Sequence, residues 1–374
     1  MAADGETDVQ GLLDSTYDAS VKKQKAAATA LGHLGAAVLA TEPAVAHRLL
    51  ELTYERDVGL QKVAMTALEA LGKKAALAKE PSVAPRLLEL TYEQDAALQK
   101  VAVTALGALG AAGLAAEPSM AHRLLELTFE QDVALQKVAV TALRALGSAV
   151  LGSEPSAAHR LLELTYDADA GLQRAAVLAV GALGAAGLAK EPSAAHRLLE
   201  LTYEDHAGLQ NAAVIAVGAL GSAGLAKEPS AAHRLLELTY EVSLGLQKVS
   251  IAALGALGPA GLAKEPSVAH RLLELTYETN VGVQKAAVAA LGALGPAALV
   301  KEPSVAHRLK ELTYEEDPGL QRVAAAAVRG AAGASAPSAA CWLDELAYDV
   351  DEDEDGEAGF GDEPVGRDSR CCVM

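Results

Sequence analysis

The sequence predicts an all-α chain, a right-handed α-solenoid of about nine 37-residue repeats with two helices each. Three observations carry this expectation. First, all nine tyrosines (Tyr17, Tyr54, Tyr92, Tyr166, Tyr203, Tyr240, Tyr277, Tyr314 and Tyr348) share one register, and Phe129 fills the single gap. The steps between them are 37 or 38 residues until the last, which is 34. Second, hydrophobic residues reach 51% of 374 while aromatics stay at 3%. A core of Ala, Leu and Val suits helices packed near the lower end of the ~8–10 Å range. Third, every period runs through the same order of helix start, apolar stripe and helix stop.

One full unit, 265–301, reads EPSVAHRLLELTYETNVGVQKAAVAALGALGPAALVK. Its Glu-Pro pair opens a first helix, A, because Pro lacks an N–H that a first turn cannot use and an acid favours the positive helix end. From Pro266 the residues Val268, Leu272, Leu273 and Leu275 follow helical spacing to Tyr277, about 12 residues in all. A short polar turn then offers Asp, Asn or Ser as a cap. Helix B follows from about Val281 to Leu294, with Val283, Ala287, Ala290, Leu291 and Leu294 on one face. Gly295 stops it, as the residue most tolerant of left-handed backbone. Its counterparts are Gly35, Gly72, Gly110, Gly147, Gly184, Gly221 and Gly258. By register there are ten A helices and nine B helices, with GLAKE-type links between repeats.

Three domains follow: a disordered N-terminus at 1–7, the repeat array at 8–348, and a disordered acidic tail at 349–374. Net charge is −18, of which residues 344–374 hold −10, leaving −8 for the body. That balance argues against a nucleic-acid footprint. The acidic start is unlike a secretory signal, and no stretch reads as a membrane span. The three cysteines, Cys341, Cys371 and Cys372, exclude a disulfide framework and fit a reducing, cytoplasmic setting.

The Leu-Leu-Glu-Leu of helix A, followed by runs such as DAALQKVAVTALGAL at Asp95–Leu109, resembles the armadillo and HEAT superfamily over residues 8–348. The resemblance implies a protein-interaction scaffold, with the short first armadillo helix reduced to the link. In import-type armadillo proteins an asparagine ladder holds extended peptides; the matching positions here are alanines (Ala70, Ala108, Ala145, Ala182), and helix B has no tryptophan. Some HEAT-like proteins act as bilin lyases, so an enzymatic or chaperone-like role is the alternative the resemblance implies. No P-loop, dinucleotide motif or nucleophile–base set accompanies it, and no cofactor is called for.

The candidate binding residues form a ladder on helix B: Gln61, Lys62, Gln99, Lys100, Gln136, Lys137, Gln173, Arg174, Gln210, Gln247, Lys248, Gln284, Lys285, Gln321 and Arg322. Amide and cationic donors in a row can grip the backbone and carboxylates of an extended acidic peptide. The competing reading is a solvated helix face, with the glutamines bridging adjacent repeats. Eight positions after the glutamines stand Gly107, Gly181, Gly218, Gly255 and Gly292, where a close approach would justify a cost of about 1 kcal/mol.

A histidine ladder (His47, His122, His159, His196, His233, His270, His307) lacks the spacing of a metal site and predicts pairing with a glutamate four residues on. Pro85 replaces one histidine and predicts a shortened A helix. The tyrosines predict packing, with their hydroxyls reaching solvent or a neighbouring turn. Trp342 predicts a lid over the last core layer. Finally, Cys371-Cys372-Val373-Met374 matches the C-a-a-X pattern, placing a prenyl group on Cys371 and a reversible membrane tether at the tail. The partners expected are therefore other proteins and a cytoplasmic membrane face.

Overall fold

The computed structural model describes residues 9–34, 42, 44–72 and 82–331. Among these residues only helices occur, and the chain divides into two compact units, Met1–Ala179 and Val180–Met374. The first unit runs α1 Val9–Ser15, α2 Val21–His33, α3 Ala44–Leu52, α4 Val58–Gly72, α5 Val83–Leu90, α6 Ala96–Ala116, α7 Ser119–Leu127, α8 Val133–Leu146, α9 Val150–Ser153 and α10 Ala157–Leu164. Helix α11, Ala170–Lys190, carries the unit boundary. The second unit runs α12 Ala194–Leu201, α13 Ala207–Lys227, α14 Ala231–Leu238, α15 Leu244–Lys264, α16 Val268–Leu275, α17 Val281–Leu294, α18 Pro296–Lys301, α19 Ser304–Leu312 and α20 Pro318–Ala331. Short A helices alternate with long B helices, as an α-solenoid repeat requires.

Burial follows the predicted stripes. In α17, Val283, Ala287, Ala290, Leu291 and Leu294 are all buried. In α16, Val268, Leu272, Leu273 and Leu275 are buried, each leucine contributing about 1.5–3 kcal/mol by leaving water. The B helices take the wider apolar face because they pack on their own A helix and on the next B helix.

Glycine governs how close that second contact is. A Cβ on Gly107 would lie 2.9 Å from the Ala142 Cα; on Gly255 it would lie 2.9 Å from the Ala290 Cα, and on Gly292 2.7 Å from the Ala327 Cα. The missing side chain is thus what lets neighbouring B helices touch backbone to backbone, which offsets the propensity cost of a helical glycine.

Three expectations are corrected here. The A helix is eight residues in α16, not about 12, because Glu265–Ser267 form the turn that leads into it and Thr276 and Tyr277 close it with tight backbone bonds. The link is itself helical: Gly184 turns the chain at φ 56°, and the helix resumes to Lys190, as Pro296–Lys301 does after Gly295. Nor does Pro85 shorten its helix, since α5 also has eight residues; Pro85 sits in the first turn, where no N–H is needed. Residues 1–7, Gly35, the tenth A helix with Trp342, and the tail with Cys371 lie outside the described residues.

Five 21-residue segments, such as Leu244–Lys264, are long and apolar enough to cross a membrane by length and composition. Each contains a positive-φ glycine and packs much of its apolar surface against other helices of the protein.

Candidate functional site

The B-helix N-termini carry the ladder. In the first unit those of α4, α6 and α8 are capped by an aspartate, while Ser20 before α2 makes no side-chain cap bond: Asp57 accepts from the Leu60 N–H at 2.7 Å, Asp95 from Leu98 at 2.8 Å, and Asp132 from Ala134 at 2.8 Å. The same carboxylate receives a lysine from the preceding repeat. Lys25 reaches Asp57 at 2.8 Å, Lys62 reaches Asp95 at 3.0 Å, Lys100 reaches Asp132 at 2.9 Å and Lys137 reaches Asp169 at 2.9 Å. The Lys25 amine beside Asp57, with help from the Leu60 N–H, holds that carboxyl below the usual range. At Asp95 the Leu98 N–H has the larger effect and Lys62 the smaller.

The glutamines serve their own repeat. Gln61 and Gln136 donate to the Glu55 and Glu130 carbonyls, while Gln99, Gln173, Gln210 and Gln247 donate to Thr91, Thr165, Thr202 and Thr239. Gln284 and Gln321 do the same with Glu278 and Glu315. Each amide therefore staples the turn between A and B. Lysine, and not glutamine, links neighbours. Arg174 holds the lysine position part-buried, and the Arg322 Nε–H donates to Pro318 O on its own helix.

In the second unit the ladder opens. The caps are His206, Ser243 and Asn280 before aspartate returns at Asp317, which pairs with Lys285 at 2.9 Å. Asn211 stands at a lysine position, and among the described residues its buried Oδ1 has no hydrogen-bond partner. Around Gly245 only the Ser243 hydroxyl comes within 4 Å of where a Cβ would sit, whereas a lysine amine crowds the matching space at Gly59 and Gly319. Lys248 still lies over Gly282, but the side chain it meets there is the neutral Asn280. At the start of α15, Val242 before the cap is 96% exposed and Leu244 after it about half exposed.

A second feature joins each A helix to the end of the one before it, and sequence reasoning missed it. The arginine that follows each ladder histidine is nearly buried (Arg48 is 8% exposed) and spends its guanidinium on the preceding repeat. Arg123 donates from Nε to the Thr91 hydroxyl at 3.1 Å and from Nη2 to the Thr91 carbonyl at 2.8 Å. Its third nitrogen donates to Glu126 at 3.1 Å, and its Cζ lies 4.0 Å from the centre of the Tyr92 ring. The clamp recurs from Arg48 on Tyr17 to Arg160 on Phe129 in the first unit, and in Arg234, Arg271 and Arg308 in the second. The tyrosines are not core residues; their rings form exposed shelves for a cation. The signal was in the sequence, as Thr before each ring and Arg after each histidine at the same 37-residue period.

The histidines pair with the glutamate four residues on, as expected: His47 Nε2 lies 3.3 Å from Glu51. Several also reach the next repeat. His233 places Nε2 3.3 Å from Glu237 and Nδ1 3.0 Å from Glu265, and only an imidazolium donates to both. The Glu265 carboxylate accordingly raises the His233 pKa above its ordinary value, while the Ser267 hydroxyl and then His233 hold Glu265 low. Among the described residues no group of three or more His, Cys, Asp or Glu side chains is placed to hold a metal ion.

The structure thus places every helix-B ladder residue of the sequence reading, and engages most of them in bonds within the protein. Cys371 lies outside the described residues. No family model matches the chain, and no curated protein matches it. Among solved structures, the chain is similar to an engineered protein from the Northeast Structural Genomics Consortium, with 19% identity, 92% of each chain covered and a TM-score of 0.55. It is also similar to a chain of the Kap95:Nup1 complex, with 14% identity, 86% of this chain and 45% of that chain covered, and a TM-score of 0.64. At these identities the likeness concerns the fold, and the fold is that of an α-solenoid repeat protein.

Proposed function

We propose that the chain is a non-enzymatic scaffold of the armadillo/HEAT kind, binding partner proteins along its B-helix face. The observation that carries this reading is the repetition itself. Within each unit a glutamine recurs once per repeat on the B helices, followed by a cation at every position but Asn211, so a long partner meets a regular row of groups. Kap95 is seen in complex with Nup1, which supports a protein-binding use of this fold. Partners with extended acidic segments fit the cationic positions. The C-terminal Cys371 would add a weak, reversible tether to a cytoplasmic membrane face, since one prenyl chain anchors marginally.

The test is affinity capture from the native cell with the full chain and with Lys137, Lys248 and Lys285 reversed to glutamate. Capture of proteins should fall severalfold in the triple variant while helicity is kept. Undiminished capture would remove the B-helix face from the proposal. Binding of a bilin to the wild type, with no protein captured, would favour the lyase reading instead. Intact mass of the cellular protein, with Cys371→Ser as the control, decides the tether.

A further inference from the structure

We infer that the open stretch of the second unit is the docking place of the chain's own acidic segment, residues 349–374. This rests on the B-helix face being the binding face. Three features of the stretch coincide on α15 and the turn before it. Lys248 has no carboxylate partner among the described residues, whereas its equivalents Lys137 and Lys285 hold an aspartate at 2.9 Å. One helical turn earlier on the same face, Leu244 is half exposed, and Val242 is almost wholly exposed. The space that a lysine amine fills at other repeats is open at Gly245. A ligand for this place needs a carboxylate to stand where the cap aspartate is missing, and an apolar side chain a few residues away.

Residues 349–374 have that chemistry. Seven of the nine residues from Asp349 to Glu357 are acidic, with Val350 among them and Phe360 just beyond. The repeat body is itself net negative, so such a segment is repelled from most of the surface and drawn to a cation that nothing else neutralises. The register also fits. Asp349 follows the tyrosine position, and in each described repeat that position opens the turn before helix B. Lys248 lies about three repeats back, roughly 30 Å at ~10 Å per helix layer. The 26 residues of the segment can extend to about 85 Å. The bound segment would lie across α15 with a carboxylate on Lys248 and the α17 N-terminus, and would withhold that part of the face from partners.

Zero-length carbodiimide cross-linking of the full chain at low salt, mapped by mass spectrometry, tests this directly. Lys248 should be joined to a carboxylate within 349–363 of the same molecule. Asn280→Asp, which restores the missing partner without disturbing the cap, should lower that product at least fivefold, as should 0.5 M salt. The inference is overturned if Lys248 is joined only to acids of its own and adjoining repeats. It is equally overturned if the segment is joined mainly to Lys227, Lys264 or Lys301, or if isotope-mixed samples show links between copies. Partner capture by the same variants is scored separately. Intact capture with no cross-link sinks the docking alone, and lost B-face capture sinks the reading beneath it.

Discussion

In the first unit four lysines close four successive B-helix contacts onto an aspartate cap; in the second, one lysine does so and three caps, His206, Ser243 and Asn280, lack the acid. Everything else that joins repeats is shared. Both units bury the same leucines, both seat a glycine on an alanine backbone, and both clamp a threonine and an aromatic ring with arginine. Packing and clamp hold the fold, so neither is free to vary. The surface pairing contributes little to stability and can be given up. The second unit has given it up at Ser243 and Asn280, and a Lys248 with no carboxylate partner among the described residues is the result.

The comparison breaks first if the clamp differs between units. Arg123→Ala and Arg271→Ala should each cost about 2–4 kcal/mol, because a buried threonine carbonyl loses a charged donor and a cavity opens beside the ring. Hydrogen exchange of the flanking helices should show equal loss of protection in the two variants. A clear inequality would mean that the units are not held alike. Gly107→Val and Gly255→Val come next, each at about 1–3 kcal/mol, since two B-helix backbones must separate. Thermal unfolding measures it, and a gain from improved helix propensity would refute the contact.

Grafting the ladder sharpens the contrast. Asn211→Lys with Ser243→Asp should build the first unit's bridge into the second and remove a buried orphan oxygen, raising local protection by at most a few-fold. No rise would show that the open stretch is held by something else.

The smallest effect is that of pH. Asp57, Asp132 and Asp169 are held low chiefly by their lysines, and Asp95 chiefly by the Leu98 N–H. A carboxyl lowered on folding contributes stability above its unfolded value of about 3.9, and loses it as pH falls through the folded value. Acid below pH ~4 should therefore loosen the first unit's B-helix starts before those of the second, where of these groups only Asp317 responds. His233 runs the other way: raised by Glu265, its contribution is full below about pH 6.5 and fades as pH rises through the folded value.

What the sequence made legible was whatever shows as periodicity. The B-helix stripe, the stop at Gly295 and the need for small residues at Gly107 all follow from spacing and side-chain size. The Arg–Thr clamp was not legible, because one-dimensional pattern treats arginine as a solvent residue. Only the fold shows that a guanidinium can be buried once three acceptors and a ring surround it. The short helix after Gly184 was hidden for a related reason: a positive-φ glycine ends one helix, and nothing in propensity says that the next begins at once. The opening of the ladder at Ser243 and Asn280 was visible as letters, but its meaning depended on knowing where Lys248 points.

Each clamp draws its donors from one arginine, two acceptors and a ring from the repeat just before it, and a third acceptor from the glutamate three residues on in its own helix. Excising residues 203–239, 37 in number, would join Thr202 to Tyr240 and hand Arg271 the Thr202 carbonyl with the Tyr240 ring, leaving no orphan group behind. Length in this protein is therefore an adjustable quantity, open to duplication and loss of whole modules with no redesign at the seams.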